Sequence, residues 1–226
     1  MLDILVFSPH PDDAELGCGG AIIKATLNHL RVNIVDLTAG ELGTHVSKEI
    51  RLKEAEKAQK ILGVDIRENL GLPDGTLGLI EKADYIFLIA EKIREYKPKI
   101  VLAPYWEDRH PDHIMTSNLI TKACHYAKLK KVTLKHPEHQ IEQIIYYEIN
   151  NQFANPSFIM DISDVFDRKK EAIMAYDSQF KEFTREFLPF PVKERCQHYG
   201  SIINADFGEA FLLKNKLKLL NWSIFF

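Results

Sequence analysis

Short apolar runs alternate along this chain with stretches of helical periodicity, and that alternation restricts its fold more than any other feature. Leu2 to Phe7 reads as a buried strand, Glu15 to Leu30 as a helix, and Val32 to Leu37 as a second strand. The second run ends in the turn-rich Thr38-Ala39-Gly40-Glu41-Leu42-Gly43. A helix follows, with Ser47 at its N-cap position, Glu49/Lys53 and Glu56/Lys60 at i,i+4 spacing, and Gly63 where a C-terminal cap glycine belongs. Asp65 to Leu70 is a short strand before the loop Pro73-Asp74-Gly75. Ala83, Ile86, Phe87, Ala90 and Ile93 then share one face of a helix that stops before Pro98. Lys99 to Ala103 is the next strand, and a helix runs to about Lys128. A polar loop to Gln140 leads into the strand Ile144 to Ile149. From Phe158 onward a strand, two or three helices and a closing strand, Phe207 to Leu213, complete the pattern. Such alternation predicts an α/β fold: a Rossmann-like three-layer α/β/α arrangement with a mostly parallel sheet and an elaborated C-terminal part. No repeat or low-complexity linker interrupts the 226 residues, so one domain, 1–226, is expected.

In the common doubly wound order the first and fourth strands are neighbours, and ligands bind in the crevice outside their carboxyl ends. Each of those two strands runs into a proline-containing tetrad: His10-Pro11-Asp12-Asp13 after the first and His110-Pro111-Asp112-His113 after the fourth. The predicted topology therefore brings together two segments about 100 residues apart. If Pro11 opens a turn or helix, His10 and Asp13 point the same way and offer an imidazole nitrogen and a carboxylate oxygen to one ion. A histidine of the second tetrad completes a two-histidine, one-carboxylate set with room for water and substrate, the pattern of catalytic rather than structural sites. Spacing does not choose between His110 and His113. With Pro111 at the first helical position, His110 is the cap residue and His113 lies in the first turn, so both reach the cleft. Asp12, beside the ligands with its own carboxylate, is placed to take a proton from attacking water.

Composition narrows the function classes. A 46% hydrophobic content fits an ordinary globular core, and a net charge of −3 with dispersed basic residues argues against a nucleic-acid or membrane surface. Cys18, Cys124 and Cys196 lack CxxC spacing and fit reduced thiols of a cytoplasmic protein. The N-terminal residues do not read as a basic leader followed by a long apolar segment, and no later stretch reaches the roughly 20 apolar residues of a membrane span, so neither a leader nor a span is expected. The closing Trp222-Ser223-Ile224-Phe225-Phe226 is too short to cross a bilayer and is expected to dock on the body or on a neighbouring subunit.

Five motifs now stand together: Ser8-Pro9-His10-Pro11-Asp12-Asp13-Ala14-Glu15, Leu37 to Gly43, Arg51 with Glu54, Pro73-Asp74-Gly75, and His110 to His113. In them the chain resembles the LmbE/PIG-L family of metal-dependent N-acetylglucosamine deacetylases. The likeness extends to Ala175-Tyr176-Asp177-Ser178-Gln179 and Tyr199-Gly200-Ser201, with Pro9 standing where the family's usual alanine precedes the first histidine. It is strongest to members of the bacillithiol pathway that deacetylate N-acetylglucosaminyl malate. The resemblance implies Zn2+ (Fe2+ or another divalent ion being alternatives) on His10, Asp13 and His113, with Asp12 as general base. It assigns His110 to the oxyanion or leaving amine, and Arg51 and Asp74 to the sugar. Asp112 is expected to orient His110, and Glu41 is either a loop acid or a substrate contact. For the two carboxylates of a malate conjugate, Arg109 and Arg195 are the candidate partners. Family likeness also implies a homo-oligomer acting on a small N-acetylglucosaminyl conjugate or a chitooligosaccharide.

Other readings compete with this one. Two histidines and a carboxylate also suit a non-haem Fe(II) oxygenase. A non-catalytic sugar- or nucleotide-binding module is the third class. Gly17, Gly19 and Gly20 resemble a phosphate loop only superficially, because their place at a helix start points to close packing on the sheet. The lysines of the 128–139 loop read as solvated, and His29, His45, His125 and His198 as structural or surface residues.

Overall fold

The computed structural model describes residues 2–43, 47–77, 83–182, 188 and 191–217. The C-terminal apolar segment and His45 lie outside them. Strand β1 (Ile4–Ser8) and helix α1 (Asp13–Leu27) are followed by β2 (Val32–Thr38), α2 (Lys48–Leu62), β3 (Ile66–Leu72) and α3 (Ala83–Tyr96). Next come β4 (Ile100–Pro104), α4 (Pro111–Ala127), β5 (Gln143–Tyr147) and β6 (Phe158–Asp161). The chain continues through α5 (Phe166–Ile173), α6 (Asp177–Phe180), α7 (Val192–Ile202) and β7 (Gly208–Leu213).

The strands form one sheet in the order β3-β2-β1-β4-β5-β7-β6. From β3 to β5 every pairing is parallel, whereas β7 runs antiparallel to both β5 and β6. The mostly parallel α/β sheet matches the expectation from alternation, and β1 and β4 are neighbours, with Ile4 opposite Ile100 and Val6 opposite Leu102. The crevice above them is the switch point of the sheet. One apolar core, including Val6, Ile34 and Leu102 with Ile22 and Leu62, lies under α1, α2 and α5. The other, including Phe7, Val35 and Val101 with Ile89, Ile93 and Ile120, lies under α3 and α4. On α3 the buried stripe is Ile86, Ile89, Ala90 and Ile93. Phe87, expected on it, is 37% exposed and packs edge-on to Tyr126 instead.

Helix α1 is kinked at Cys18 (φ −140°, ψ 20°), which frees backbone N–H groups in its middle. Gly20 and Ala21 donate these to the two carboxylate oxygens of buried Glu209 at 2.9 and 2.7 Å, and Lys169 Nζ pairs with the same carboxylate. A helix that must lie against β5 cannot carry side chains there. A Cβ at Gly17 would collide with the Glu148 carbonyl and the Tyr147 ring, and one at Gly20 would come within 2.8 Å of Ile162. These glycines serve packing, as the sequence reading expects, and the kinked helix delivers its first turn to the crevice. Gly63 ends α2 in the left-handed conformation (φ 77°) expected of its cap. Cys18, Cys124 and Cys196 are free and buried. Among the described residues no helix is long and apolar enough to cross a membrane.

Candidate metal centre

The segment after β1 closes on itself. Ser8 Oγ donates to His10 O at 2.7 Å, Asp13 N to His10 O at 3.3 Å, and His10 N to Asp13 Oδ2 at 3.1 Å. This turn aims the Asp13 carboxylate at its own tetrad's imidazole, with Asp13 Oδ2 3.0 Å from His10 Nδ1. Between them Asp12 has φ 110°, a left-handed backbone that a side-chain-bearing residue adopts only at a cost of order 1–3 kcal/mol. Strain of this kind is held in place by its surroundings. Arg51 supplies the restraint here, donating to Pro11 O at 3.2 and 2.7 Å and to Asp12 Oδ2 at 2.8 Å.

The segment after β4 is built differently. Asp108 accepts from His110 N at 2.8 Å, Pro111 opens α4, and His110 caps that helix by accepting the Asp112 N–H on Nδ1 at 3.2 Å. His113, in the first turn, turns Nε2 to Asp13 Oδ2 at 3.3 Å and Nδ1 to Asp108 at 3.2 Å. Asn150, just beyond β5, donates to Asp108 at 2.9 Å and steadies that carboxylate. The two tetrads thus meet. Ring centroids of His10, His110 and His113 lie 4.6 to 5.4 Å apart.

Metal-ligating atoms of His10, Asp13 and His113 all fall within 4.8 Å of one another, and all three residues are buried. Tetrahedral zinc with bonds of 2.0–2.1 Å separates its ligand atoms by about 3.3 Å. The observed 3.0 and 3.3 Å around Asp13 Oδ2 fit that spacing. The distal imidazole nitrogens are oriented by carboxylates, as metal-ligating histidines commonly are: Asp108 on His113 Nδ1, and Asp74 (3.0 Å) and Asp112 (3.6 Å) on His10 Nε2. A divalent cation therefore fits these residues, with three protein ligands and open positions.

Electrostatics follow the same geometry. Burial raises the Asp12 carboxyl to about 7 against the opposing Arg51 charge. For Asp13, burial is outweighed by the His113 charge and the His10 hydrogen bond, so it is held far below the usual carboxylate range. Burial lowers His113, but the Asp13 charge and the Asp108 hydrogen bond overcome it and lift the ring to about 9. His10 rises well above its usual value because hydrogen bonds from its ring to the carboxylates of Asp112, Asp13 and Asp74 overcome burial. His110 goes the other way, lowered first by burial and then by the charges of His113 and His10. With Nδ1 accepting, the favoured His110 ring is neutral and carries its proton on Nε2.

Several expected contacts are placed otherwise. The Asp112 carboxylate accepts from Gly75 N at 2.7 Å and lies 3.6 Å from His10 Nε2, while its backbone N–H donates to His110 Nδ1. Asp74 is tied to His10 and to Leu42 N, and Glu41 accepts from Asp74 N at 3.0 Å, which makes both of them braces of the crevice wall. Arg195 is 8% exposed and donates to the carbonyls of Ile149 and Leu16, an engagement that does not suit it to receive a substrate carboxylate. Arg109 stands exposed at the rim, 3.2 Å from Asn150 Oδ1. Sequence reasoning missed Asp108 and Asn150, and also the buried group behind Asp12. There Arg67 joins Glu15 to Asp36, Tyr176 donates to Glu15 at 3.1 Å, and the Tyr176 ring lies 5.8 Å from the Arg51 guanidinium carbon. A charged residue, Asp36, inside the fully buried β2 was the available signal.

Two imidazoles and a carboxylate at the switch point of a doubly wound sheet, beside a strained buried carboxylate, form a candidate cation site of an α/β protein. Residues 5–124 match the family described as PIG-L, GlcNAc-PI de-N-acetylase, and the chain belongs to that family. It is 29% identical to the diacetylchitobiose deacetylase of Thermococcus kodakarensis over 91% of this chain and 80% of that protein. It is 25% identical to the probable N-acetyl-alpha-D-glucosaminyl L-malate deacetylase 2 of Bacillus anthracis over 81% of this chain and 86% of that one. The crystal structure of a conserved protein from Thermus thermophilus superposes with a TM-score of 0.88, at 38% identity, over 98% of this chain and 99% of the other.

Proposed function

We propose that this chain hydrolyses the acetamide of an N-acetylglucosaminide to acetate and free amine, with Zn2+ held by His10, Asp13 and His113. The observation that carries this reading is the position of Asp13 Oδ2, 3.0 Å from one imidazole and 3.3 Å from another, with Asp12 strained beside it. A divalent cation there supplies Lewis-acid polarisation of the carbonyl and lowers the pKa of water from 15.7 toward about 7. Asp12 takes the proton of the attacking water on its carboxylate, kept in place by Arg51. The neutral His110 donates its Nε2 proton as a hydrogen bond to the carbonyl oxygen while that atom gains negative charge. A donor of this type is typically worth about 3 kcal/mol. The proton on Asp12 then passes to the leaving nitrogen, which departs as the amine. Hydrolysis is favoured over Fe(II) oxygenation because Asp12 supplies a base that oxygen chemistry does not require.

For the aglycone, N-acetylglucosaminyl malate is one candidate, with Arg109 at the rim as partner for a malate carboxylate. A chitooligosaccharide is favoured by the internal engagement of Arg195, which leaves Arg109 alone of the two candidate arginines to meet two carboxylates. The test is acetate release from N-acetylglucosaminyl malate, N-acetylglucosaminyl inositol, diacetylchitobiose and free N-acetylglucosamine, with and without chelator. Chelator-sensitive release from at least one of them is expected. No release from any, or release that survives complete metal removal, overturns the proposal.

A further inference from the structure

Parallel strands are normally covered on both faces, and part of this sheet is not. At the amino ends of β1 and β4, opposite the end that carries the candidate metal centre, a cleft of about 480 Å³ lies between the second half of α1 and the sheet. Its floor is Ile100 and Leu102 of β4, Ile145 of β5, Phe158 and Met160 of β6, and Phe211 of β7. Ile100, Ile145, Phe158 and Met160 pack against the core under α1, yet each is only half-buried. Ile22, Ala25 and Leu30 form the wall, and Leu30 is 42% exposed. Both polar side chains at the cleft are already engaged: Lys24 Nζ with Asp164 at 2.8 Å, and Asn28 Nδ2 with Lys24 O at 2.7 Å. A polar occupant would lose its hydrogen bonds to water without replacement, whereas an apolar one is favoured.

We propose that this cleft is the docking site of the chain's own segment 218–226, with Leu220, Trp222, Ile224 and Phe226 laid on its floor. Strand β7 ends at Leu213, opposite the floor residue Ile145, and Gln143 Nε2 donates to Asn215 O at 3.3 Å, so the chain leaves the sheet beside the cleft. After Leu217 the sequence continues Lys218-Leu219-Leu220-Asn221-Trp222-Ser223-Ile224-Phe225-Phe226. Nine residues reach up to about 30 Å when extended. From β4 through β5 and β7 to β6 is three strand spacings, about 14 Å, so the segment spans the floor with residues left for the turn. Alternate side chains of an extended segment share a face. Here Leu220, Trp222, Ile224 and Phe226 share one that is wholly apolar, while Asn221, Ser223 and Phe225 fall on the other. The apolar face matches the floor, and the other offers polar groups to solvent.

Attachment decides whose segment fills the cleft. The short connection from Leu213 through Leu217 holds the segment at about millimolar effective concentration beside its own cleft, above that of a segment from another copy at ordinary protein concentrations. Docking within one chain completes the cover of β4, β5 and β6 on the face of the sheet that α1 covers only in part.

The photoreactive residue p-benzoylphenylalanine is placed at Trp222 of the full chain, the protein is irradiated, and the products are separated on denaturing gels and mapped by mass spectrometry. The expected product migrates as a single chain and joins position 222 to a peptide carrying residues 100–102, 145 or 158–160. Leu30→Arg, on the exposed part of the wall, and Met160→Arg, on the edge strand, put a charge into the cleft and are expected to abolish that product, with circular dichroism reporting that each variant is folded. A two-chain product means that a second copy seats its segment there. A crosslink elsewhere on the body, or none, means that the segment does not use the cleft. An apolar small molecule retained through purification and seen by native mass spectrometry means that the cleft serves a ligand. Each of these results overturns the proposal, as does an unchanged product in both folded variants.

Discussion

Replacing Arg51 with Met separates two roles that this residue can play. In the structure its guanidinium is 2.8 Å from Asp12 Oδ2 and is otherwise spent on Pro11 O, within a site where Asp12 is already raised to about 7 by burial. An opposite charge at this range lowers a carboxyl by about 1–3 pKa units, so Arg51→Met raises Asp12 by that amount. Asp12 acts deprotonated, and activity therefore grows as pH climbs through its pKa. Raising that pKa moves the acidic limb of kcat/KM to higher pH by about 1–3 units. At a fixed pH on that limb the loss is about 10- to 1000-fold, and it is recovered at alkaline pH. A bound cation lowers the limb in both proteins, so the comparison is between wild type and variant, each loaded with zinc and checked for metal content. If Arg51 is only a sugar contact, KM rises and the limb stays where it is. An unmoved limb refutes the restraint assigned to the Arg51–Asp12 pair.

Asp12→Ala is expected to retain zinc and lose about 10²- to 10⁴-fold in turnover; full activity removes Asp12 from the base role. Asp108→Asn leaves His113 without its orienting carboxylate and is expected to weaken zinc affinity by about 10- to 100-fold, as read by competition with a chelating dye; unchanged affinity contradicts the bracing role. Gly20→Ala forces a Cβ to within 2.8 Å of Ile162 and is expected to cost about 1–3 kcal/mol by thermal or urea unfolding, and a neutral result means α1 can shift off the sheet. In metal-free protein His113 is raised from 6.5 to about 9, so its stabilisation is complete below pH 6.5 and is lost as pH rises through about 9. That loss is at most about 3 kcal/mol, and a metal-free melting temperature that stays flat from pH 6.5 to 9 contradicts it.

The parallel half of the sheet was legible because its signals are local. Periodicity marked each strand and helix, Gly63 marked the end of α2, and tetrads at the ends of two strands pointed to the β1–β4 crevice. The insertion of β7 between β5 and β6 was not legible, since antiparallel pairing of a last strand depends on partners far away along the chain. Nor does sequence spacing say what a carboxylate faces. Asp74 and Asp112 belong to recognisable motifs, yet both turn out to flank His10 Nε2, because the 73–75 loop folds over the first tetrad. Asp108 and Asn150 carry no local pattern at all and become partners of His113 only through the pairing of β4 with β5. Arg195 shows the converse limit: a charged residue on α7 whose neighbours turn out to be backbone carbonyls.

The shared cation is tested most directly by anomalous diffraction at the zinc edge from crystals grown with one equivalent of zinc. A single strong peak within bonding distance of His10 Nδ1, Asp13 Oδ2 and His113 Nε2 is the expected result. Zinc bound elsewhere, or coordinated by one tetrad without the other, contradicts the account.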